Sequence, residues 1–396
     1  MPAAVLKSII PTVERFDVFI AGGGIGGSVA ARFSATGGLR TLFVERCKTP
    51  RHKPCSGIQF PYFEKILGEK IPAERLCKVD ITRVEMNFPD GSSMRAPFSV
   101  LNYMRNTFDE WLNLRAQEEG AEFRDECEFL DCEQNGDWVV VRVAPKDGEQ
   151  QELEARYVID ATGLSSLPIR RKLRPQDFGE RSSGGGMNYY IEGPADLDPH
   201  TLYQFWDLRF SDAMFAWIYV KTLDDGEDYW VVGTGCVDGD IRERQKLFYD
   251  FVRERYRMGG RIVHTEEYTS TIDMGSRERV WLGQGRMLMV GDAAGLLDGV
   301  RGVGQDAAAL SGRLVAKAIL RADRRGTEAL DEYATLMRRV TKQTRRNQER
   351  TIDRFDSNEE LQRYLKRGMF RQGLLMVLHV FLNRFRSVER LKLLPP

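Results

Sequence analysis

Histidine is scarce in this sequence, with four residues, and its six cysteines include no CxxC pair. His52, His200, His264 and His379 are scattered along the chain, as are Cys47, Cys55, Cys77, Cys127, Cys132 and Cys236. Such spacing excludes a zinc motif or a disulfide framework as the organising feature, and no metal is expected. No stretch approaches the roughly 18 consecutive apolar residues that a membrane-spanning helix requires. The first residues lack the charged-then-apolar layout of a secretory signal, so a cytoplasmic protein is expected. Net charge is zero, from 58 basic and 58 acidic side chains, so no global attraction to nucleic acid is expected. What is present is a globular composition, 42% hydrophobic and 29% charged. At 396 residues the chain exceeds one compact core, which points to two joined domains and a helical tail.

The stretch FDVFIAGGGIGGSVAARFSATGG opens with Val18, Phe19, Ile20 and Ala21, apolar enough for a strand buried on both faces. Gly22, Gly24 and Gly27 follow at GxGxxG spacing, ahead of a small-residue helix. The first glycine permits the tight turn, the second lets a pyrophosphate approach the backbone, and the third lets helix and strand pack closely. Free N–H groups at the helix start then face the phosphates. A second strand, TLFVER, ends at Glu45 and Arg46, with the acid 21 residues beyond Gly24, where it can bond ribose hydroxyls. A lone GxGxxG is common in ordinary turns, but strand, helix, second strand and acid together favour a dinucleotide site.

Two further strands end in small residues. YVIDATGLSSLPIRRKL carries Asp160, Thr162 and Gly163, and RMLMVGDAAGLLDGVRGVGQDAAALSGRL carries Gly291 and Asp292 before a helix entered through Gly302, Val303 and Gly304. A chain that starts a nucleotide domain at one end and returns to it near residue 290 threads a second domain through the first.

With these motifs in this order, the sequence resembles the FAD-dependent enzymes of the p-hydroxybenzoate hydroxylase type. The resemblance implies FAD as cofactor, with Asp292 on the ribityl chain and Gly302, Val303 and Gly304 leading into a helix aimed at the flavin. It also implies FAD contacts from Gly163, from Glu45 and Arg46, and from Arg105 in MRNTFDEWLNLRAQEEGAEF, where an arginine precedes an Asp-containing helix. The family's DGxxSxxR segment is altered here: Thr162 replaces its aspartate and Arg170 stands one residue late. The resemblance therefore says more about FAD than about NADPH.

Residues 176 to 275 read as antiparallel sheet, with AMFAWIYVK, a turn at LDDGED, then YWVVGTGC. Alternation puts Phe215, Trp217, Tyr219 and Lys221 on one face and Ala216, Ile218 and Val220 on the other. Three aromatics in a row serve either as sheet packing or as a pocket wall. The stretch is similar to the YxWxFP motif of the geranylgeranyl reductase branch, with Val220 where proline is expected. Earlier, PRHKPCSG resembles that branch's Lys-Pro-Cys-Gly-Gly loop, with Ser56 in place of the first glycine. On its own the loop allows Cys55 to be a thiol activated by Arg51, His52 and Lys53, or a buried small residue. Beside a flavin, the resemblance makes it a residue that gates, donates a proton or shapes an alkene pocket.

The fold expected is α/β: a doubly wound, parallel-sheet, Rossmann-like FAD-binding domain (1–85, 101–175, 276–328), an interleaved β-rich substrate domain (86–100, 176–275) and a helical region (329–396). The expected activity is reduction of C=C bonds in an isoprenoid or similarly hydrophobic, lipid-like substrate, with Cys55, Phe215, Trp217 and Tyr219 at the reacting end. An electron donor such as NAD(P)H or a ferredoxin-like protein is implied. An FAD monooxygenase or halogenase, and an electron-transfer flavoprotein without turnover of its own, are the alternatives. Asp331 to Pro396 holds 15 Lys/Arg against 8 Asp/Glu, with Leu374, Leu375, Leu378, Phe381 and Leu382 at helical spacing. Such a helix packs on its own domain or lies peripherally on an anionic membrane.

Overall fold

An unbroken apolar run is stable as a strand only when both faces are covered, and residues 18–21 are all buried. In the computed structural model, which describes residues 13–164, 167–178, 185–212, 215–237, 239–269, 279–298, 303–348 and 355–393, this run lies in strand Glu14–Ala21. Parallel neighbours flank it on both sides, Thr41–Val44 and Gln151–Asp160, and Glu122–Arg124 and Met287–Met289 continue the parallel set outward. The antiparallel strands Trp138–Pro145 and Cys127–Asn135 attach through Gln151–Asp160, completing an eight-stranded sheet with Gly283–Gln284. Helix Ile25–Thr36 makes the first crossover and Arg105–Glu118 lies in the next. The expected doubly wound parallel sheet is present.

Between Asp160 and Gly283 the chain builds most of a second, seven-stranded sheet, ordered Ile262–Thr269, Gly185–Ile191, Asp228–Cys236, Ala216–Thr222, Thr201–Phe205, Arg83–Asn87, Ser93–Pro97. The last two strands are a hairpin supplied from an earlier part of the chain, and Thr201–Phe205 joins it in parallel. The sheet is therefore not wholly antiparallel, because its fifth and sixth strands come from separate excursions rather than from one meander.

The alternation read from the sequence decides what each face does. Ala216, Ile218 and Val220 pack with Phe248 and Val252 of helix Ile241–Arg255, while Tyr219 packs with Ile81, Val84, Tyr190, Leu202 and Val231 on the opposite face. That opposite face is turned toward Ile58 and the loop before it.

Helices Ile25–Thr36 and Gln305–Arg325 approach closely through glycine. A Cβ on Gly312 would stand 2.3 Å from the Gly26 carbonyl oxygen and 3.1 Å from the Ala30 nitrogen, so no larger residue fits. The helix Ala329–Gln348 is tied back to the sheet by Tyr333, whose hydroxyl donates to the Met289 carbonyl at 2.9 Å. In helix Asn358–Asn383, Leu361 and Leu365 pack on Phe88, beside the hairpin, whereas Leu374, Val377, Leu378 and Phe381 face outward. The apolar stripe foreseen in this helix is thus only partly covered by its own chain. No described helix is long and apolar enough to cross a membrane.

The glycine contact gives a stability prediction. Gly312→Val forces the two helices apart, and overpacking of this kind costs roughly 1–3 kcal/mol, so the thermal midpoint falls by several degrees. Gly373→Ala, where a Cβ meets nothing within 4 Å, leaves the midpoint unchanged or raises it.

Candidate active site

The glycine turn behaves as its spacing requires at two positions. Gly22 has φ of 110°, and a Cβ there would lie 2.5 Å from the Ala161 carbonyl oxygen; at Gly27 it would lie 1.8 Å from the Gly22 oxygen. Gly24 precedes helix Ile25–Thr36 and faces the Arg51 and Arg105 guanidinium groups. The Glu45 carboxylate accepts from the Gly23 N–H at 3.1 Å and the Cys47 N–H at 3.2 Å, and pairs with Arg51 at 3.0 Å. Arg46, beside it, is exposed.

Arg105 is buried and donates twice to Asp109, at 2.8 and 2.7 Å, as the i,i+4 spacing on one helix face allows. Burial opposes its charge, but the Asp109 carboxylate outweighs burial and raises its pKa; Asp109 is held low by the same pair. Arg51 reaches Asp109 as well, at 3.4 Å. Read in the sequence only as a neighbour of the thiol, Arg51 belongs to this acid-lined end instead. Lys53 faces Gly163, and burial followed by the Arg105 charge lowers its pKa, opposed by the Asp292 charge. Among the described residues no hydrogen bond or ion pair engages its ammonium group. Three cations converging on a glycine turn and a helix start form a setting suited to a pyrophosphate.

The middle motif is structural. Asp160 is fully buried, with Oδ1 accepting from the Thr162 N–H at 3.0 Å and the Thr162 hydroxyl at 2.7 Å; burial raises its pKa. Arg170, fully buried, donates to Asp177 at 2.7 Å, to the Ala293 carbonyl at 3.1 Å and to the Arg279 carbonyl. It clamps the GDAAG turn from beneath, so the late arginine is a tie within the fold.

Past that turn, Asp292 Oδ1 is buried with no hydrogen-bond partner among the described residues, and a Cβ on Gly304 would stand 2.7 Å from it. A buried carboxylate oxygen without a donor is costly, so this one fits a ligand hydroxyl. Gly304 caps helix Gln305–Arg325, and Val303 pairs with Asp298 just before it. Gly302 lies outside the described residues. The fit between these residues and FAD is thus a matter of donors and acceptors: cations at the glycine turn, an orphaned acid near the helix start.

The PRHKPCSG loop is held from both sides. Gly57 has φ of 53°, and a Cβ there would stand 1.9 Å from the Tyr103 carbonyl oxygen. The Lys221 ammonium, fully buried, donates to the Gly57 carbonyl at 3.2 Å, the Asn102 side chain at 2.5 Å and the Tyr103 carbonyl at 2.7 Å. Cys55 is half-buried, and its sulfur accepts from Gln305 Nε2 at 3.3 Å; Gln305 Oε1 in turn accepts from the Tyr103 hydroxyl at 2.6 Å. Cys55 therefore stands at the first residue of the helix that Gly304 caps.

The aromatic row is less uniform than its spacing implies. Tyr219 is fully buried, its hydroxyl has no partner among the described residues, and burial raises its pKa well above the usual value. Trp217 is half-buried and donates from Nε1 to Asn188 Oδ1 at 2.8 Å; half-buried Phe215 packs on Trp206 and Trp217. Lys221, next on the same face, is no part of a pocket wall, because its three oxygen partners fix it as a bolt.

Several residues of this cluster escaped sequence reasoning. Gln305 had only its position after Gly304 to mark it. His52 and His264, scattered in the sequence, come together with Glu266, the donor and acceptor atoms all within 4.8 Å of one another. His52 Nε2 is bonded to Glu266 Oε1 at 2.6 Å, which makes the pair an ion pair rather than a vacant ligand set. The one available signal was the i,i+2 placement of His264 and Glu266 on one strand face.

Comparison with known proteins is consistent with this geometry. The family described as FAD binding domain matches residues 15–348. Digeranylgeranylglycerophospholipid reductase 2 of Methanothermobacter thermautotrophicus is 30% identical over 325 residues, covering 77% of this chain and 79% of that protein. A solved geranylgeranyl bacteriochlorophyll reductase-like protein from Thermoplasma acidophilum shares the fold, with TM-score 0.76 at 19% identity over 96% of this chain and 94% of its own. The flavin-dependent halogenase CmlS does so less completely, with TM-score 0.64 and 23% identity over 85% and 62%.

The orphaned acid yields a binding prediction. A hydrogen bond to a charged group contributes about 1.5–3 kcal/mol, so Asp292→Ala weakens FAD binding by roughly 10- to 100-fold in an absorbance titration. An unchanged dissociation constant would show that Asp292 does not touch the cofactor.

Proposed function

Because the chain belongs to the FAD-binding-domain family, in its geranylgeranyl reductase branch, we propose that it reduces C=C bonds of an isoprenoid or similarly hydrophobic, lipid-like substrate. FAD is its cofactor. The observation that carries the substrate reading is the convergence of three features. The Cys55 loop, the Trp217 and Tyr219 face, and the start of helix Gln305–Arg325 meet through the Gln305 and Lys221 hydrogen bonds. In this reading the FAD-binding domain comprises 1–85, 101–175 and 276–328, and the substrate domain 86–100 and 176–275, except that strand Arg83–Asn87 belongs wholly to the second sheet and moves residues 83–85 to the substrate domain.

Bound and reduced, FAD supplies a hydride. An isolated alkene accepts hydride poorly, so one carbon must be protonated while the other is attacked, with positive charge developing between them. Aromatic faces at Trp217 and Phe215 favour that charge by about 0.5–2 kcal/mol each. They also exclude water from an apolar chain. Cys55 is the proton-donating or pocket-shaping group nearest the helix start, and Lys221 keeps its loop in register. The electron donor we propose is NAD(P)H or a ferredoxin-like protein.

A peripheral lipid contact is part of the proposal. Leu374, Val377, Leu378, Phe381 and Phe385 are 45–75% exposed and recur at helical spacing, and Arg367, Arg371 and Arg384 are exposed around them. An apolar stripe bordered by cations suits an anionic bilayer surface, where such substrates reside.

Two measurements test these readings. Dithionite-reduced protein saturates geranylgeranyl lipids anaerobically, read as mass gain, and Cys55→Ala slows this roughly tenfold or more while keeping FAD. No mass gain across polyprenyl substrates, or product oxidation that requires oxygen, would favour the monooxygenase or halogenase alternative. For the lipid contact, the protein floats with phosphatidylglycerol vesicles and Leu378→Glu/Phe381→Glu does not; equal flotation of both would remove the helix from the contact.

A further inference from the structure

The reductase reading needs a proton for each alkene. Behind the Cys55 loop, the Glu266 carboxylate is 4% exposed, yet both its oxygens are engaged. Oε1 accepts from His52 Nε2 at 2.6 Å, and Oε2 accepts from Asn188 Nδ2 at 2.8 Å. His52 itself is surface-accessible, with 43% of its side chain exposed. One ion pair thus has its cation in water and its anion inside the protein.

On the inner side lie two tyrosines whose rings pack in the sheet's inner cluster. Tyr190 and Tyr219 are fully buried; the Tyr219 hydroxyl has no hydrogen-bond partner among the described residues, and the Tyr190 hydroxyl lies beside the Glu266 carboxylate, close enough to help hold it ionised. Tyr190 packs its ring 5.3 Å from that of His264, within the charge influence of both Glu266 and Cys55, and Tyr219 feels Glu266 and Cys55 as well. An orphaned hydroxyl in a core is disfavoured, and a phenol is both donor and acceptor. Such groups are explained if they exchange protons with something that enters the pocket.

We propose that the His52–Glu266 pair is the proton entrance of the substrate pocket, with Tyr190 and Tyr219 as the buried hydroxyls that pass protons on toward Cys55. This rests on the reductase reading. In each turnover the alkene π bond is consumed and two C–H bonds form, one from the hydride and one from the proton. FAD ends oxidised, and the group that gave its proton, Cys55 or Tyr219, regains one through Tyr190 from the His52–Glu266 pair. His52 then takes its replacement from water. In this route His52 and Glu266 act through Tyr190 and Cys55, so they are positioning residues.

The surroundings fix the direction of the pH dependence. Hydrogen bonding to Glu266 raises the His52 pKa, burial opposes this, and the Glu266 and Asp224 charges raise it further. Asp224 belongs to the turn after strand Ala216–Thr222; Asn188 and Tyr190 come from Gly185–Ile191; His264 and Tyr268 flank Glu266 on its own strand. His264 sets its ring edge-on at 5.3 Å from that of His52. With the His52 pKa raised, the pair holds its proton through neutral pH and loses it as pH rises through the raised value. Turnover therefore falls on the alkaline side.

The test uses FAD-loaded wild type, His52→Gln and Glu266→Gln, with anaerobic reduction of geranylgeranyl lipid followed from about pH 5 to 9. His52→Gln lowers kcat by roughly 10²-fold, the lower range for a positioned proton donor. Glu266→Gln moves the alkaline limb of kcat to lower pH. Both variants keep the dithionite-reduced spectrum of the wild type. Independently of turnover, NMR of carbon-13-labelled histidine shows the His52 titration returning toward about 6.5 in Glu266→Gln. Variants with wild-type rate and an unmoved alkaline limb, beside an active wild type, overturn the route alone. A wild type that reduces no isoprenoid lipid overturns the reductase reading and the route together.

Discussion

A buried ammonium group joins the two halves of the candidate site. Lys221 sits on a strand of the second sheet, while its partners, the Gly57 and Tyr103 carbonyls and the Asn102 amide oxygen, belong to segments leading into and out of the first. Burying a lysine is expensive, and three oxygens in reach are what make it tolerable. Burial depresses its pKa, opposed by the charges of Cys77, Cys55 and Glu266, so the bolt depends on the polar groups gathered around it. Without it, the Cys55 loop would be left on the substrate side with the half-exposed His52–Glu266 pair, nearer its start.

The helix Gln305–Arg325 plays the matching part from the other side. Gly312 brings it against helix Ile25–Thr36, Ser311 accepts from the Gly291 N–H at 2.9 Å, and Gln305 links Cys55 to Tyr103. One element thereby fixes the spacing between the glycine turn, the Asp292 turn and the thiol. A shift of this helix would disturb all three at once, which is why its closest contact is made by a residue without a side chain.

Charge is distributed to match. Arg51, Lys53 and Arg105 gather at the glycine turn against Glu45 and Asp109, while the Cys55 end holds phenols, a thiol and an indole, with the acid Glu266 paired to His52. The two ends of the candidate site therefore offer opposite environments, one charged and one aromatic. The exposed stripe of helix Asn358–Asn383 extends the apolar character to the surface.

Local order was legible in the sequence because it depends on neighbours along the chain. Strand burial at residues 18–21, the glycine spacing, the parallel sheet and the two-faced strand Ala216–Thr222 all follow from period and small-residue placement. The same alternation read Lys221 as a companion of the aromatics without revealing that it was a bolt, and read Tyr219 as wall without revealing an orphaned hydroxyl. Those roles are set by residues more than a hundred positions away, such as Gly57 and Asn102 for Lys221. Glu266 and His52 lie more than two hundred apart, and their 2.6 Å contact exists only because strand Ile262–Thr269 and the Cys55 loop are brought together by the fold. Sequence by itself determined the elements and the glycine turn, through short-range sterics and periodic burial. Tertiary structure alone decided which polar groups meet in the pocket, because hydrogen bonds and ion pairs fall off within a few ångströms and chain distance says nothing about them.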